Sequence, residues 1–195
     1  MRLVVTGTDT GVGKTWASAA LARPGDAYVK AAQTGDDDDA ATVRELSGAD
    51  VHTLARYPEP LAPATAARRA GLATVSMAEV ADFVRRLPNE RVIVEGAGGL
   101  LVQLDAEGGT IADLAQLLDA PLVVVARAGL GTLNHTALTV EAIERRNLRC
   151  LGIIVGAWPR DPDLAAQCNL EDLAAIAPVL GRLPEGEFTT MEIPA

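Results

Sequence analysis

The sequence predicts an α/β fold in which helices cover both faces of a mainly parallel sheet. Four short apolar runs, at residues 3–5, 92–94, 122–125 and 151–155, are rich in Val, Leu and Ile and do not alternate with polar residues. Continuous runs of this kind are typical of strands that are buried on both faces. Helical patterns lie between the runs, and this alternation is characteristic of α/β domains. The length of 195 residues suits a single domain over residues 1–195.

The remaining elements follow from weaker patterns. Two further strands are expected at residues 27–30 and 179–182. Apolar residues spaced three and four apart predict helices over residues 77–87, 111–118, 133–146 and 170–177. Thr110 and Asn169 are the candidate N-caps of the second and the last of these helices. Prolines at 58, 60 and 63 predict an irregular segment, which is either a loop lining the site or a surface connection.

Composition limits the partners of the chain. With 26 acidic and 17 basic side chains, its net charge of −9 argues against nucleic acid or an anionic membrane as a main partner. Cys150 and Cys168 are too few for a disulfide framework. No segment has the pattern of a signal peptide, and no apolar run approaches the ~20 residues of a membrane helix. We therefore expect a cytoplasmic protein.

A glycine-rich turn joins the first predicted strand to a helix. It reads Gly7-Thr8-Asp9-Thr10-Gly11-Val12-Gly13-Lys14-Thr15. Such a turn lets successive backbone N–H groups converge on phosphate oxygens at a helix N-terminus. Lys14 supplies a cation for the β- and γ-phosphates, and the Thr15 hydroxyl can bind Mg²⁺. The strict phosphate-loop pattern requires Gly at position 8, so this loop is a variant. The alternative is a plain turn with a solvated Lys14, but the strand, the glycines and the Lys-Thr pair favour nucleotide binding.

Two acidic segments are candidates for binding the metal of a nucleotide. Glu95 ends the buried strand 92–94 and is followed by glycines, which allow a ligand to approach the backbone closely. A carboxylate in this position needs a metal or cation partner, or else it pairs with a surface Arg. The run Asp36–Asp39 precedes a predicted helix over residues 40–47. It is either a solvated helix N-terminus or a contributor to the metal site.

Lys30 is unusual because the chain otherwise uses arginine. Only Lys14 and Lys30 among the 17 basic residues are lysines, and Lys30 ends a predicted strand. A lysine beside a phosphate loop can stabilise a transferring phosphoryl group or neutralise an acidic substrate. The alternative is an ordinary surface lysine.

These motifs together resemble the ATP-dependent dethiobiotin synthetases of biotin biosynthesis, which have a P-loop NTPase-like fold. The similarity runs in order from residue 6 to about residue 160. Its elements are the phosphate loop 7–15, Lys30 with Gln33-Thr34-Gly35, Asp39, the segment 94–99 and the segment Gly129-Leu130-Gly131-Thr132-Leu133-Asn134-His135.

The resemblance implies a reaction without a protein nucleophile. The family converts 7,8-diaminopelargonate, CO₂ (or bicarbonate) and ATP into a cyclic urea. A carbamate forms on one amine and attacks the γ-phosphate, and the second amine closes the ring on the mixed carbamic-phosphoric anhydride. The protein then contributes positioning and charge stabilisation.

The resemblance also assigns residues. Lys14, Lys30 and Thr10 would be catalytic, and Thr15, Asp39 and Glu95 would hold Mg²⁺. Thr34 and the backbone of Gly131, Thr132, Leu133 and Asn134 would contact the substrate of a homodimer. The nucleotide would be bound by Gly11, Val12, Gly13, Lys14, Thr15, Trp16, Asp39, Glu95, Gly96, Ala97, Gly98, Gly156, Ala157, Leu183, Pro184 and Glu185.

One departure from the family bears on the nucleotide base. Many members carry Asn for adenine where this chain has Gly156, and glycine has no side-chain amide to offer. Weak discrimination among nucleotide bases is therefore expected. A competing hypothesis is a nucleotide switch of the septum-placement or plasmid-partition type. Those loops carry a signature lysine where this chain has Asp9, and the tail 187–195 is short and acidic rather than a membrane-binding helix.

Overall fold

The computed structural model describes residues 1–193, which form nine strands and seven helices. The strands are β1 (Arg2–Gly7), β2 (Ala27–Lys30), β3 (Gln33–Thr34), β4 (Asp50–Thr53), β5 (Arg56–Tyr57), β6 (Val92–Gly99), β7 (Leu122–Ala126), β8 (Cys150–Trp158) and β9 (Val179–Pro184). The helices are α1 (Lys14–Leu21), α2 (Asp39–Ser47), α3 (Pro63–Ala70), α4 (Met77–Arg86), α5 (Ile111–Leu118), α6 (Thr132–Glu144) and α7 (Leu164–Leu173). Within these residues, none of the helices is long and apolar enough to cross a bilayer.

Seven of the strands form one parallel sheet in the order β4-β2-β6-β1-β7-β8-β9. The central strand β1 lies between β6 and β7, and Val4 pairs with Val94 on one side and with Leu122 on the other. Because every pair is parallel, the carboxyl ends of the strands meet at one edge, where ligands of such folds bind. The predicted α/β class with a mainly parallel sheet is confirmed.

Alternating strand residues pack into separate cores on the two faces of the sheet. Leu3, Tyr28 and Ile93 belong to the core that includes residues of α1 and α2. Val4 and Val94 face the other core, which includes residues of α4, α5 and α6. Both faces are therefore apolar, which explains why the strand sequences show no alternation with polar residues.

The helix predictions are confirmed except at the last helix. Thr110 caps α5 in a capping box with Asp113, as its spacing predicts. The predicted cap at Asn169 is wrong, because α7 begins at Leu164 with Asp163 as its N-cap. Asn169 lies inside α7 and donates from Nδ2 to the carbonyl oxygens of residues 128 and 129. Its amide thus satisfies buried loop carbonyls rather than the helix end.

A small second sheet follows the main strand β2. β3 pairs in parallel with β5, and Thr34 lies opposite Tyr57. The proline-rich segment after Tyr57 is irregular until Pro63 opens α3. Pro60 packs against Gly35, where an added Cβ would be 3.1 Å from the proline Cβ. This segment therefore braces the residue that follows Thr34.

Candidate active site

The phosphate loop connects β1 to α1 and turns on two glycines. Gly11 (φ 71°) and Gly13 (φ 93°) have left-handed backbone conformations, which other residues rarely adopt. Gly13 is also the N-cap of α1, so no side chain satisfies the first N–H groups of the helix. The loop therefore presents main-chain donors at a helix N-terminus, the arrangement that binds phosphate.

Lys14 opens α1 and lies over the loop. Its side chain is buried, and Nζ donates to the carbonyl oxygen of Asp9 at 3.0 Å. Burial lowers the pKa of Lys14, while the charge of Glu95 acts in the opposite direction. A partly desolvated ammonium group that contacts a neutral carbonyl would gain from an anionic partner such as a phosphate.

Lys30 ends β2 and binds two carboxylates. Its Nζ lies 2.7 Å from Glu95 Oε1 and 2.5 Å from Asp39 Oδ2, and it also donates to the carbonyl oxygen of Gly96 at 3.1 Å. Lys30 lies opposite Glu95 in the pairing of β2 with β6, and Asp39 opens α2. Burial alone would lower the pKa of Lys30, but the two carboxylates outweigh this effect and raise it. Lys30 is therefore a buried cation, not a surface lysine.

Glu95 is completely buried and accepts hydrogen bonds on both oxygens. Oε1 accepts from Lys30 and, at 3.3 Å, from Thr15 Oγ1. Oε2 accepts from Ser18 Oγ at 2.7 Å and from Tyr28 OH at 3.0 Å. Burial and the charge of Glu95 raise the pKa of Tyr28 well above its ordinary value. The phenol therefore remains a donor at neutral pH, and each oxygen of the Glu95 carboxylate has two donors.

Ser18 and Tyr28 belong to no motif, yet their spacing could have revealed them. Ser18 lies one helical turn after Thr15, and Tyr28 lies two residues before Lys30 on the same face of β2. Both therefore point toward the side of the sheet on which the motif residues lie.

Most of the residues that are predicted to bind the triphosphate and the metal line one cleft of about 360 Å³. It extends from the phosphate loop to the ends of β2, β3 and β6. Its predicted lining residues are Thr10, Gly11, Gly13, Lys14, Thr15, Trp16, Lys30, Thr34, Asp39, Glu95, Ala97 and Gly98. Gln33 from the motif around Thr34 and Asp37 from the acidic run also line it, as does Ala32, which the sequence did not single out. Val12 instead places its side chain in the core, and Gly96 contributes its carbonyl to Lys30.

Thr15, Asp39 and Glu95 have the chemistry of a magnesium site. Mg²⁺ usually takes one or two carboxylates and completes its shell with phosphate oxygens and water. The ammonium group of Lys30 contacts both carboxylates, at Glu95 Oε1 and Asp39 Oδ2. These two oxygens therefore lie close enough together to share one positive charge. Among residues 1–193, no three His, Cys, Asp or Glu side chains converge on a single metal position. We expect Thr15, Asp39 and Glu95 to supply part of the ligand shell of a metal that arrives with a nucleotide.

The residues predicted near the nucleotide base have no charged network like that of Lys30, and their main chain is tightly packed. An added Cβ on Gly156 would lie 2.0 Å from the carbonyl oxygen of Val12, so the end of β8 packs directly on the phosphate loop. Ala157 has a positive φ of 48°. Leu183 is buried, while the backbone N–H of Glu185 donates to the carbonyl oxygen of residue 158. Pro184 completes β9. Glycine at 156 is therefore a steric requirement of this backbone.

The segment around Gly131, which is predicted to contact the substrate, lies elsewhere. Gly131 is the N-cap of α6 with φ 92°, and no side chain caps that end. Thr132 is buried, Leu133 is half-buried and Asn134 is exposed. None of residues 131–134 lines the cleft described above. Within one chain, over residues 1–193, this segment is therefore not part of the cleft that contains Lys30 and Thr34.

Asp9, which stands at the position of the partition-type signature lysine, forms its own ion pair. Its Oδ2 accepts from Arg127 Nη2 at 3.0 Å, and its Oδ1 accepts from the backbone N–H of Thr10 at 2.7 Å. Both side chains of the ion pair are exposed. The pair links the phosphate loop to the residue that follows β7.

Comparisons with known proteins agree with this geometry. The profile AAA_26, described as an AAA domain, matches residues 1–192. The chain is 57% identical over 196 residues to the ATP-dependent dethiobiotin synthetase BioD of Saccharopolyspora erythraea, covering 94% of this chain and 87% of that protein. It is 53% identical over 200 residues to the BioD of Mycobacteroides abscessus, with 97% and 89% covered.

Solved structures share the fold at low identity. A putative plasmid partition protein of Borrelia burgdorferi bound to AMPPNP aligns with a TM-score of 0.62 at 12% identity, covering 95% of this chain and 87% of that one. The cell division ATPase MinD of Pyrococcus furiosus aligns with a TM-score of 0.56 at 18% identity, covering 94% and 83%.

The parallel sheet and the phosphate loop define a P-loop NTPase-like protein. Within that class, identity above 50% over nearly the whole chain is decisive. The chain belongs to the family of ATP-dependent dethiobiotin synthetases.

Proposed function

We propose that this chain closes the ring of dethiobiotin from 7,8-diaminopelargonate, CO₂ and ATP, with Mg²⁺, and releases ADP and phosphate. The observation that carries the proposal is the buried contact of Lys30 with Glu95 and Asp39 in the same cleft as the phosphate loop. Relatives at 57% and 53% identity carry the name dethiobiotin synthetase. Because its substrates are ATP and a small diamine, we place the reaction in the cytoplasm.

The triphosphate lies across the phosphate loop in this proposal. The N–H groups at the start of α1 and the Lys14 ammonium bind its oxygens, and Trp16 lies beside them. Thr15, Asp39 and Glu95 hold Mg²⁺, which when bound neutralises phosphate charge. Thr10 lines the same cleft and supports the γ-phosphate.

The reaction proceeds in three bond-forming steps. An amine nitrogen attacks the carbon of CO₂ and loses a proton, which gives a carbamate. A carbamate oxygen then attacks the γ-phosphorus, and the bond to the bridging oxygen breaks as ADP leaves. Finally the second amine attacks the carbonyl carbon, loses a proton and expels phosphate. Lys30 stabilises the negative charge of the carbamate and of the transferring phosphoryl group.

The lining of the cleft supports a mechanism of positioning rather than covalent catalysis. Among the described residues that line it there is no cysteine or histidine. The hydroxyl groups of Thr10, Thr15 and Thr34 have no neighbouring general base of the Ser-His type. Bringing the carbamate in line with the γ-phosphate is then the main contribution of the protein.

In this proposal the substrate binds between two copies of the chain. Thr34 lines the cleft, whereas residues 131–134 do not, so one protomer supplies the first and its partner the second. Leu130 is 89% exposed and Leu138 is 57% exposed, which leaves apolar surface beside the start of α6 for a homodimer.

Mixed dimers test this arrangement. Lys30→Gln and Asn134→Pro variants should each be weakly active, because Asn134→Pro removes a backbone N–H from the first turn of α6, where proline is tolerated. Mixing the two variants should restore part of the activity. No gain in mixed dimers whose formation is verified by differently tagged protomers would contradict a shared site.

The overall proposal is tested by ADP release from purified protein with ATP, Mg²⁺ and bicarbonate, with and without the diamine. We expect release to depend on the diamine and dethiobiotin to accumulate in equal amount. ADP release that is independent of the diamine would instead favour a nucleotide switch.

A further inference from the structure

The two oxygens of Glu95 have different partners, and only one of them faces the reaction. Oε1 contacts Lys30 and Thr15, which belong to the nucleotide site. Oε2 is held by the hydroxyl groups of Ser18 and Tyr28, which take part in no other step. Glu95, Ser18 and Tyr28 all have no exposed surface, so these hydroxyl groups cannot touch a substrate.

We propose that Ser18 and Tyr28 are positioning residues that make Glu95 a one-oxygen ligand and thereby favour Mg²⁺ over Ca²⁺ at the nucleotide site. The proposal rests on the proposed function only in taking Glu95 as part of a metal site. We call this pair, Ser18 and Tyr28, the hydroxyl clamp.

The rigidity of the clamp follows from where its members lie. Ser18 is in the second turn of α1, whose first residue is the phosphate-loop lysine. Tyr28 is in the middle of β2 and pairs in register with Ile93, two residues before Glu95. The clamp is thus built from a helix and a strand rather than from loops, and its position is fixed by the core.

Two hydrogen bonds on one oxygen restrict how the carboxylate can bind a cation. Rotation of the carboxylate to offer both oxygens would break two buried hydrogen bonds and leave two buried hydroxyl groups without partners, which is costly. Outer hydrogen bonds of this kind commonly change metal affinity about 10- to 100-fold when they are removed.

Restriction to one oxygen favours the smaller ion. Mg²⁺ demands near-ideal octahedral geometry and keeps several waters, so a single carboxylate oxygen suits it. Ca²⁺ takes more ligands at longer distances and often binds both oxygens of a carboxylate. Removing a hydrogen bond to Oε2 should therefore weaken the binding of Mg²⁺ and reduce the preference for Mg²⁺ over Ca²⁺.

Equilibrium binding of a non-hydrolysable ATP analogue tests the clamp without turnover. The dissociation constants of Mg²⁺ and Ca²⁺ are measured by titrating each ion into protein with the analogue, for wild type, Tyr28→Phe and Ser18→Ala. We expect each variant to bind Mg²⁺ about tenfold more weakly and the preference for Mg²⁺ over Ca²⁺ to fall about as much. Binding of the analogue without metal should change less than twofold.

Tyr57→Phe is the matched control. Tyr57 is the other tyrosine of the chain, is also buried, and donates to the carbonyl oxygen of Ala73. This variant should keep the preference for Mg²⁺, which separates the clamp from a general effect of losing a buried phenol. Thermal unfolding verifies that each variant is folded, and Ser18→Ala decides the test if Tyr28→Phe does not fold.

The outcomes separate this proposal from the proposed function. Wild-type protein that binds the analogue no better with Mg²⁺ would overturn the metal site itself. Wild type that responds to Mg²⁺, together with folded clamp variants that keep its affinity and its preference over Ca²⁺, would overturn the clamp alone. An equal loss of analogue binding with and without metal would assign the two hydroxyl groups a structural role and also overturn it.

Discussion

The proposed phosphate side and the proposed base side of the nucleotide site are built in opposite ways. On the phosphate side, Lys30, Glu95 and Asp39 form a buried network whose carboxylate oxygens meet cationic or hydroxyl partners. On the base side, the end of β8 offers Gly156 and Ala157, which have no polar side-chain atoms, and the main chain packs tightly on the phosphate loop.

The difference teaches where selectivity is located. Pre-positioned charges recognise a triphosphate and stabilise the charge that moves during transfer. Discrimination between bases needs side-chain or backbone groups that match the base edge, and a site without them rejects wrong bases weakly. We therefore expect this chain to select its ligands mainly by their phosphates and by the diamine substrate.

The largest effect is expected from breaking the phosphate side at Lys30. Lys30→Gln removes the cation from between Glu95 and Asp39, and we expect kcat to fall at least ~100-fold, about 2.7 kcal/mol. The dissociation constant of ATP should change only a few fold because Lys14 and the loop remain. Leaving Glu95 buried without its cation should also lower the free energy of unfolding, by about 3 kcal/mol.

Steady-state kinetics, ATP titration and urea unfolding measure these three quantities. Arg85→Gln is the control, because its ion pair with Asp82 is exposed and worth little. Unchanged kcat in folded Lys30→Gln protein would contradict the role of Lys30.

The next largest effect is expected at Gly156, where the end of β8 contacts the phosphate loop. In Gly156→Ala the new methyl group would meet the backbone carbonyl of Val12 at 2.0 Å, so the phosphate loop has to shift. We expect the affinity for ATP and CTP to fall equally, about 10- to 100-fold, in line with the cost of overpacking. Gly129→Ala is the control, since nothing lies within 4 Å of its added Cβ. A loss confined to one nucleotide would instead indicate that Gly156 contacts the base.

Base selectivity itself is expected to be small. Turnover with CTP and GTP should lie within ~100-fold of turnover with ATP, a gap below about 2.7 kcal/mol. The measurement is kcat/KM for each nucleotide at saturating diamine and Mg²⁺. A larger preference for ATP would mean that groups beyond Gly156 read the base.

The same contrast explains how far the sequence could predict the molecule. The apolar strands, the loop 7–15, Lys30 and Glu95 are local signals, and parallel topology brings strand ends together. The place of Asp39 in the site was expected only from a resemblance, because an acidic run before a helix is ambiguous by itself. Its ion pair with Lys30 was not predicted.

Other features depended on tertiary structure. The spacing of Ser18 and Tyr28 places them on the same side as the motif residues, but their contacts with Glu95 depend on the packing of α1 against β2 and β6. Asn169 has the composition of a cap but lies inside a helix, because the buried carbonyls of residues 128 and 129 required its amide. From the sequence, Gly156 is known only as a glycine where many family members have asparagine. The structure shows that the carbonyl oxygen of Val12 leaves no room for a side chain there.

The smallest expected effect is a pH dependence that belongs to the phosphate side. Burial and the charge of Glu95 raise the pKa of Tyr28 above its ordinary value in the folded protein. As pH rises above about 10, the unfolded chain loses the phenol proton while the folded chain keeps it. The free energy of unfolding should then fall by up to about 1.4 kcal/mol per pH unit from this group. Below pH 10 its contribution is fully present.

Tyr28→Phe should therefore flatten the alkaline loss of stability, as measured by urea unfolding at pH 8, 10 and 11. The raised pKa of Lys30 also lowers the free energy of unfolding as the pH rises above the ordinary pKa of lysine. The lowered pKa of Lys14 acts in the opposite direction. Both lysines remain in the variant, so the comparison with wild type isolates the phenol. Tyr57, whose pKa burial also raises, has no contact with the network, and Tyr57→Phe should flatten the curve less. Equal flattening in the two variants would place the alkaline sensitivity outside the phosphate side.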